Sequence, residues 1–227
     1  MSFARSIICL VSRFMARRVL PACGALALSA TVFAQSGPAS YELADPLPVD
    51  SPGKVEVLEF FWYGCPHCYA LEPVLQPWVE KLPRDVVFKR VPAIFNENWA
   101  TSARVFYALE SMGQVARLHR PFFDAIHRDN LRPTSESDLL QWLGSNGVDR
   151  QQFQAAAKSF AVESRLKRAA QLIDAARING VPAIVIQGRH VVNAAVSPQQ
   201  MLATVDQFIA EERKVLGAAR PPAKAAR

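Results

Sequence analysis

Residues 55–68 read VEVLEFFWYGCPHC, an apolar run that ends in two cysteines separated by two residues. The β-branched and aromatic side chains at 55–63 predict a buried strand. Pro66 suits the first turn of a helix that begins at Cys65, because the N–H that proline lacks would have no partner there. Such a helix directs its unpaired N–H groups and the positive end of its dipole toward the Cys65 sulfur, which favours the thiolate. The stretch predicts a dithiol redox site at a strand-to-helix junction.

The first 34 residues have the pattern of a secretory signal peptide. They contain four arginines and no acidic residue, then an apolar stretch at 19–33 and a cleavage pattern that ends at Ala34. An uncleaved membrane anchor is the alternative, although the apolar stretch is short for a span. We expect cleavage after Ala34, which leaves Cys65 and Cys68 as the cysteines of the mature protein.

Chemistry explains this pair better than a structural crosslink does. Two intervening residues enclose almost no loop, and the stabilisation that a disulfide gives grows with the loop it closes. Half of a zinc site is another alternative, but the mature chain has no second cysteine pair and its histidines lack the i, i+4 spacing of helical ligands. We expect no cofactor and no metal, with Cys65 as the nucleophile and Cys68 as the resolving thiol.

Charge gives no sign of a nucleic-acid partner. The chain has a formal net charge of +6, but four of its 26 basic residues lie in the predicted signal peptide and three more lie at 217–227. The part between them is close to neutral, with 19 basic and 20 acidic residues. The basic balance of the whole chain is therefore no footprint for nucleic acid.

The order of strand and helix signals predicts an α/β protein. Strands are predicted at 55–61, 86–91, 183–186 and 190–192, and helices at 66–82, 98–112, 114–127, 136–145, 150–178 and 198–216. The strand–helix–strand start predicts a parallel pair, and the short turn at 187–189 predicts an antiparallel hairpin. Pro73 and Pro77 each remove a backbone hydrogen bond, so we expect the first helix to be kinked or split.

This order corresponds to a thioredoxin-like fold with an inserted helical domain. The domain limits that we predict are 1–34 for the signal peptide, 35–54 for an extended arm, 55–95 and 180–216 for the thioredoxin-like domain, 96–179 for the inserted helical domain and 217–227 for a disordered tail.

Two motifs resemble those of the DsbA family of thiol:disulfide interchange proteins. The first reads EFFWYGCPHCY at 59–69, and the second reads GVPA at 180–183. The resemblance covers almost all of the mature chain and implies a periplasmic dithiol oxidase with a Cys65–Cys68 disulfide. It also implies a cis peptide bond before Pro182, which would face the disulfide while Val181 lines the peptide site.

Two residues between the cysteines have candidate tuning roles. A positive charge on His67 would lower the pKa of Cys65 further, although a lone histidine is more often without function. Pro66 starts the helix and, by the resemblance, also tunes the site.

Neighbouring positions have a functional and a structural alternative each. Glu59 alternates with apolar residues on the strand beneath Cys68, where a buried carboxyl would suit proton exchange with that thiol; the alternative is a carboxylate at the rim that pairs with Lys89 or Arg90. Glu72 matches an acidic position of the family or lies on a solvated helix face.

Trp62 and Tyr63 either flank the thiols as part of an apolar surface that binds unfolded peptides or belong to the core.

The leading functional hypothesis is an oxidase that donates its disulfide to newly exported proteins with free cysteines and is reoxidised by a DsbB-type, quinone-linked membrane protein. The alternatives are an isomerase or reductase kept reduced by a membrane donor, and a peptide-binding chaperone. Only about 20 residues separate Ala34 from Val55, too few for an N-terminal dimerisation domain, which speaks against the isomerase or reductase. We expect a monomer.

Overall fold

A five-stranded mixed sheet forms the centre of the protein, whose computed structural model describes residues 39–219. The strands are β1 (Ser40–Glu42), β2 (Val55–Phe61), β3 (Val86–Pro92), β4 (Ala183–Ile186) and β5 (His190–Asn193). Their spatial order is β1-β5-β4-β2-β3, with β2 and β3 parallel and the other pairs antiparallel. The predicted signal peptide, the cleavage site and residues 220–227 of the predicted tail lie outside the described residues.

Seven helices are found within residues 39–219. They are α1 (Pro66–Val79), α2 (Glu97–Ser111), α3 (Val115–His127), α4 (Glu136–Ser145), α5 (Arg150–Ala157), α6 (Phe160–Ala175) and α7 (Pro198–Ala219). Helices α2–α6 occupy the chain between β3 and β4, which confirms the predicted fold class. In this part of the chain no helix has both the length and the apolar character that a membrane crossing requires.

Two apolar clusters cover the two faces of the sheet. On one face, Leu71 and Leu75 of α1 and Val205 of α7 pack against Val57 of β2. On the other face, Phe60 and its neighbours pack against the helices between β3 and β4. Since both faces are covered, every residue of β2 is buried, including its two glutamates.

The first helix, expected to be kinked or split, is continuous from Pro66 to Val79 and therefore not split. Pro73 and Pro77 both lie inside α1, four residues apart on its exposed side. Each proline leaves one carbonyl of the preceding turn without its helical donor, and at an exposed position water can supply the missing hydrogen bond. Leu71 and Leu75 hold the opposite side of the helix in the core.

Other differences concern the ends of elements. The predicted helix at 150–178 is two helices, because Ser159 caps a new helix with a hydrogen bond from the N–H of Val162. The predicted arm contains a short strand, β1, which pairs with β5 through three residues. Helix α7 continues to Ala219, so the start of the predicted tail is helical.

Candidate active site

Cys65 is the N-cap of helix α1. Its backbone is extended, with φ −84° and ψ 117°, and its sulfur accepts a hydrogen bond from the N–H of Cys68 at 3.4 Å. The Cys65 N–H donates to the carbonyl of Trp62 at 3.0 Å, which fixes the turn between β2 and the helix. Strand, turn and helix therefore place one sulfur at the positive end of a helix dipole.

These surroundings lower the pKa of Cys65 to about 6. A hydrogen bond from the Cys68 thiol contributes most; burial acts in the opposite direction, and the N–H groups of Cys68 and His67 and the His67 charge lower the pKa further. His67 and Pro66 are both exposed, with Pro66 in the first helical turn as expected. At neutral pH Cys65 is mostly thiolate.

Cys68 has the opposite character. It is fully buried, and burial, the hydrogen bond to Cys65 and the charges of Cys65 and Glu59 raise its pKa well above the usual value. Both cysteines are free thiols in the structure, so the geometry is that of the reduced pair. One sulfur is thus suited to attack and to leave, whereas the other holds its proton.

The peptide bond between Val181 and Pro182 is cis, as the resemblance predicted. In its protonated form the Cys65 thiol donates to the carbonyl of Val181, which is 3.4 Å from the sulfur, so the loop before β4 lies directly against the reactive sulfur. A cavity of about 610 Å³ begins here and is lined in part by His67, Val181 and Pro182. The site thus has an open groove beside the thiol.

Glu59 is buried in β2 and lies next to Arg90, its register partner on β3. The Arg90 Nε lies 3.1 Å from Glu59 Oε2, but the angle does not make a hydrogen bond, and neither carboxyl oxygen has a donor among the described residues. Burial raises the pKa of Glu59 to about 8, against the opposing charge of Arg90 and with a contribution from Glu72. The carboxyl is therefore protonated at pH 7. The alternative of a carboxylate at the rim is wrong because Glu59 is 1% exposed, although Arg90 is the cation beside it; proton exchange with Cys68 stays a prediction.

A second buried carboxyl, Glu72, accepts hydrogen bonds from His119 Nε2 at 3.1 Å and from Arg90 Nη2 at 3.3 Å. The prediction of a solvated helix face is wrong, because Glu72 is only 2% exposed. Burial alone would raise its pKa, but the hydrogen bond from His119 and the charges of His119 and Arg90 lower it. Burial also lowers the pKa of His119. A neutral His119 that donates from Nε2 to the carboxylate accepts at Nδ1 from the Tyr63 hydroxyl, 2.8 Å away.

Tyr63 belongs to the core and not to a peptide-binding surface. Its side chain is 1% exposed and packs against Phe61, Phe122 and Phe123. Its carbonyl accepts a hydrogen bond from His127 at 2.8 Å, which holds the loop that leads to Cys65.

Trp62, in contrast, is half-buried beside the cysteines. It stacks on Trp99 with 4.2 Å between ring centroids, and Phe95, which is 41% exposed, contacts Trp99 with its ring tilted by 47°. The Trp62 ring also covers Gly64, where a Cβ would lie 2.4 Å from the indole. Gly64 is therefore required for the stack beside Cys65.

Sequence reasoning missed His119 and His127. His119 lies four residues after Val115 and four before Phe123, on the apolar side of α3, and this spacing could have indicated a buried position. Residues 39–219 contain no cluster of three or more His, Cys, Asp or Glu side chains that could hold a metal ion.

Comparison with known proteins gives one consistent result. A family model described as a DSBA-like thioredoxin domain matches residues 84–209. The thiol:disulfide interchange protein DsbA of Pseudomonas aeruginosa is 41% identical over 174 residues, which cover 76% of this chain and 82% of that protein. The protein of the same name from Bordetella parapertussis is 38% identical over 199 residues and is covered to 95%, with 84% of this chain matched.

Solved structures give the same relationship in three dimensions. The crystal structure of P. aeruginosa DsbA has a TM-score of 0.75 at 39% identity and covers 78% of this chain and 93% of that one. The crystal structure of the oxidoreductase DsbA from Xylella fastidiosa has a TM-score of 0.73 at 31% identity and covers 78% of this chain and 96% of that one.

Proposed function

The chain belongs to the DSBA-like thioredoxin family and is a thiol:disulfide oxidoreductase, and from this premise we propose that it donates its Cys65–Cys68 disulfide to newly exported proteins in the periplasm. The observation that carries the proposal is the unequal pair of thiols, with the pKa of Cys65 lowered to about 6 and that of Cys68 raised.

This inequality favours oxidation of substrates. With a pKa of about 6, about 90% of Cys65 is thiolate at pH 7, compared with about 1% at the usual 9.0. The ionisation stabilises the reduced protein at pH 7 by about 1.4 kcal/mol, or about 1 kcal/mol when screening by solvent in the adjoining groove is allowed for. For a two-electron couple, a stabilisation of about 1 kcal/mol makes the reduction potential more oxidising by about 20 mV. A stabilised reduced form makes the oxidised form a better disulfide donor.

The reaction consists of two exchanges. A substrate thiolate attacks Cys65 of the disulfide, a bond forms between those two sulfurs, and Cys68 leaves as a thiolate that takes up a proton. A second substrate thiolate then attacks the substrate sulfur of the mixed disulfide, and Cys65 leaves as a thiolate. Two substrate thiols are oxidised to one disulfide, and the protein pair is reduced by two electrons.

Glu59 is the proposed proton donor to Cys68. In its ionised form Glu59 raises the pKa of Cys68, so the two groups interact electrostatically, and its own pKa of about 8 keeps it protonated at pH 7. Its oxygens have no hydrogen-bond donor within residues 39–219, and burial outweighs the charge of Arg90 3.1 Å away, so the carboxyl keeps its proton. A protonated carboxyl of this kind can protonate the Cys68 thiolate as it leaves.

Substrate binding is proposed at the loop before β4. Val181 offers backbone groups next to the reactive sulfur, and its carbonyl is 3.4 Å from it. An extended peptide can pair there as an added strand. The half-buried Trp62 and Trp99 and the exposed Phe95 form an apolar aromatic cluster beside the loop that leads to Cys65, suited to apolar side chains of unfolded chains.

The partners and location follow from the same chemistry. A reduced Cys65–Cys68 pair must be reoxidised, and we propose a DsbB-type, quinone-linked membrane protein for that step. The predicted signal peptide supports the periplasm, and we propose that the protein acts there as a monomer.

A Cys68→Ala variant tests the proposal. The variant cannot form the intramolecular disulfide, so its Cys65 thiolate attacks a disulfide of an exported protein: a bond forms between Cys65 and one substrate sulfur, and the other substrate sulfur leaves as a thiolate. The Cys68 thiol that would displace the substrate from Cys65 is missing, so mixed disulfides with exported proteins accumulate. They are detected as reducible high-mass bands after thiol alkylation of cells. A Cys65→Ala/Cys68→Ala double variant is the matched control and should give none. No mixed disulfides from the single variant would refute the mechanism.

A further inference from the structure

Helix α6 ends in the same backbone motif as α2 and α4, but with an unexpected residue in it. In all three, the N–H of the second residue after the C-cap bonds to the third carbonyl from the helix end, and the residue before it has a positive φ. That residue is Gly113 after α2 and Gly147 after α4, with φ 68° and 71°. After α6 it is Arg177, with φ 53°. Glycine is favoured in this conformation, and arginine is not.

The helix end does not need the guanidinium. The Tyr41 hydroxyl donates to the carbonyls of Ala176 and Arg177, at 3.2 and 3.3 Å. None of the ion pairs found within residues 39–219 includes Arg177, and its side chain is exposed. A non-glycine residue held at positive φ next to an active site is a reason to look for a role in function.

Arg177 lines the groove beside the reactive sulfur, together with His67, Asn179, Val181 and Pro182. It is the one permanently charged side chain among the described residues of this lining, which includes no carboxylate. Arg177 is four residues before Val181, so their Cα atoms are at most about 14 Å apart. A substrate strand beside this loop crosses that distance in about four residues.

We propose that Arg177 is a specificity-determining residue that favours substrates with an Asp or Glu within about four residues of the target cysteine. The inference rests on the proposed function, since it assigns a substrate class to the same groove. A carboxylate in the bound peptide would pair with a guanidinium that has no carboxylate partner of its own in the described chain, and an exposed ion pair of this kind changes binding by about two- to five-fold.

The test uses two dithiol peptides that differ by Glu or Gln three residues from the first cysteine. The second-order rate constant for reduction of the oxidised protein is measured with each, and the Glu/Gln ratio is compared between proteins, which cancels the intrinsic effect of the carboxylate on the peptide thiol. Arg177→Gln removes the charge; Gln187 already has φ 50° here, so glutamine is tolerated in this conformation. Arg168→Gln, an exposed arginine on α6 outside the groove lining, is the matched control, and Arg177→Lys restores the charge.

We expect the Glu/Gln ratio of the wild-type, Arg168→Gln and Arg177→Lys proteins to exceed that of Arg177→Gln by about two- to five-fold, and the excess to decrease in 0.5 M salt. An equal ratio in wild type and Arg177→Gln, or an equal loss in Arg168→Gln, would overturn the inference. Failure of the wild-type protein to oxidise either peptide would instead overturn the proposed function on which it rests.

Discussion

The buried carboxyl of Glu59 should make the stability of the folded protein depend on pH. In the folded protein the pKa of Glu59 is about 8, whereas in the unfolded chain it is near the ordinary 4.5. Between these pH values the folded protein holds a proton that the unfolded chain has lost. The contribution of Glu59 to stability is therefore fully present below pH 4.5 and is lost as the pH rises to 8. Glu59→Gln removes this titration while it keeps a neutral side chain of similar size.

The magnitude follows from the two pKa values. From pH 5 to pH 7 the linkage removes about 2 to 3 kcal/mol of the free energy of unfolding from the wild-type protein. The Cys65 thiol acts in the opposite direction over part of this range, but it is the same in both proteins. We therefore expect the stability of Glu59→Gln, relative to wild type, to increase by about 2 to 3 kcal/mol between pH 5 and pH 7.

The assay is urea unfolding of the reduced proteins at pH 5, 6 and 7, monitored by far-UV circular dichroism. Glu56→Gln is the matched control, because Glu56 is a second buried glutamate of β2, ion-paired with Lys89 and remote from the cysteines in the strand. Subtracting the effect of Glu56→Gln on the free energy of unfolding from that of Glu59→Gln leaves the part that is specific to position 59. A difference between Glu59→Gln and wild type that is the same at all three pH values would show that Glu59 is not protonated in the folded protein.

Two further predictions concern single side chains of the site. His67→Gln should raise the pKa of Cys65 only slightly, because the hydrogen bond from Cys68 and the helix N–H groups remain. The pKa is measured from the pH dependence of the thiolate absorbance at 240 nm, and an unchanged pKa would exclude the role of the His67 charge. Tyr63→Phe removes the hydroxyl that donates a hydrogen bond to His119 Nδ1, so the free energy of unfolding in urea should decrease by about 1 kcal/mol while the pKa of Cys65 stays near 6. A large change in that pKa would mean that Tyr63 acts on the thiol directly.

The sequence predicted the parts of this site that depend on local order along the chain. The position of Cys65 at a helix start follows from an apolar strand, a turn glycine and a proline in the first turn, all within 14 residues. The cis bond before Pro182 was predicted only through the resemblance, since a lone Val-Pro pair is more often trans.

The parts that the sequence did not predict depend on contacts between distant segments. Glu72 was open to interpretation as a surface residue until α3 placed His119 against it, 47 residues further along the chain. The choice between Lys89 and Arg90 as the partner of Glu59 depended on the parallel register of β2 and β3, which puts Arg90 opposite Glu59. Burial of Tyr63 likewise depended on the aromatic side chains of α3.

The direction of electron flow is the central claim, and the resting state of the Cys65–Cys68 pair in cells tests it most directly. Cells are quenched in acid, free thiols are alkylated with a mass-adding maleimide, and the fraction of protein that shifts on a gel is measured. An oxidase predicts that the pair is largely oxidised, and that it becomes reduced when quinone-linked reoxidation is removed. A pair that is largely reduced in wild-type cells would contradict the account and would favour a reductase or isomerase.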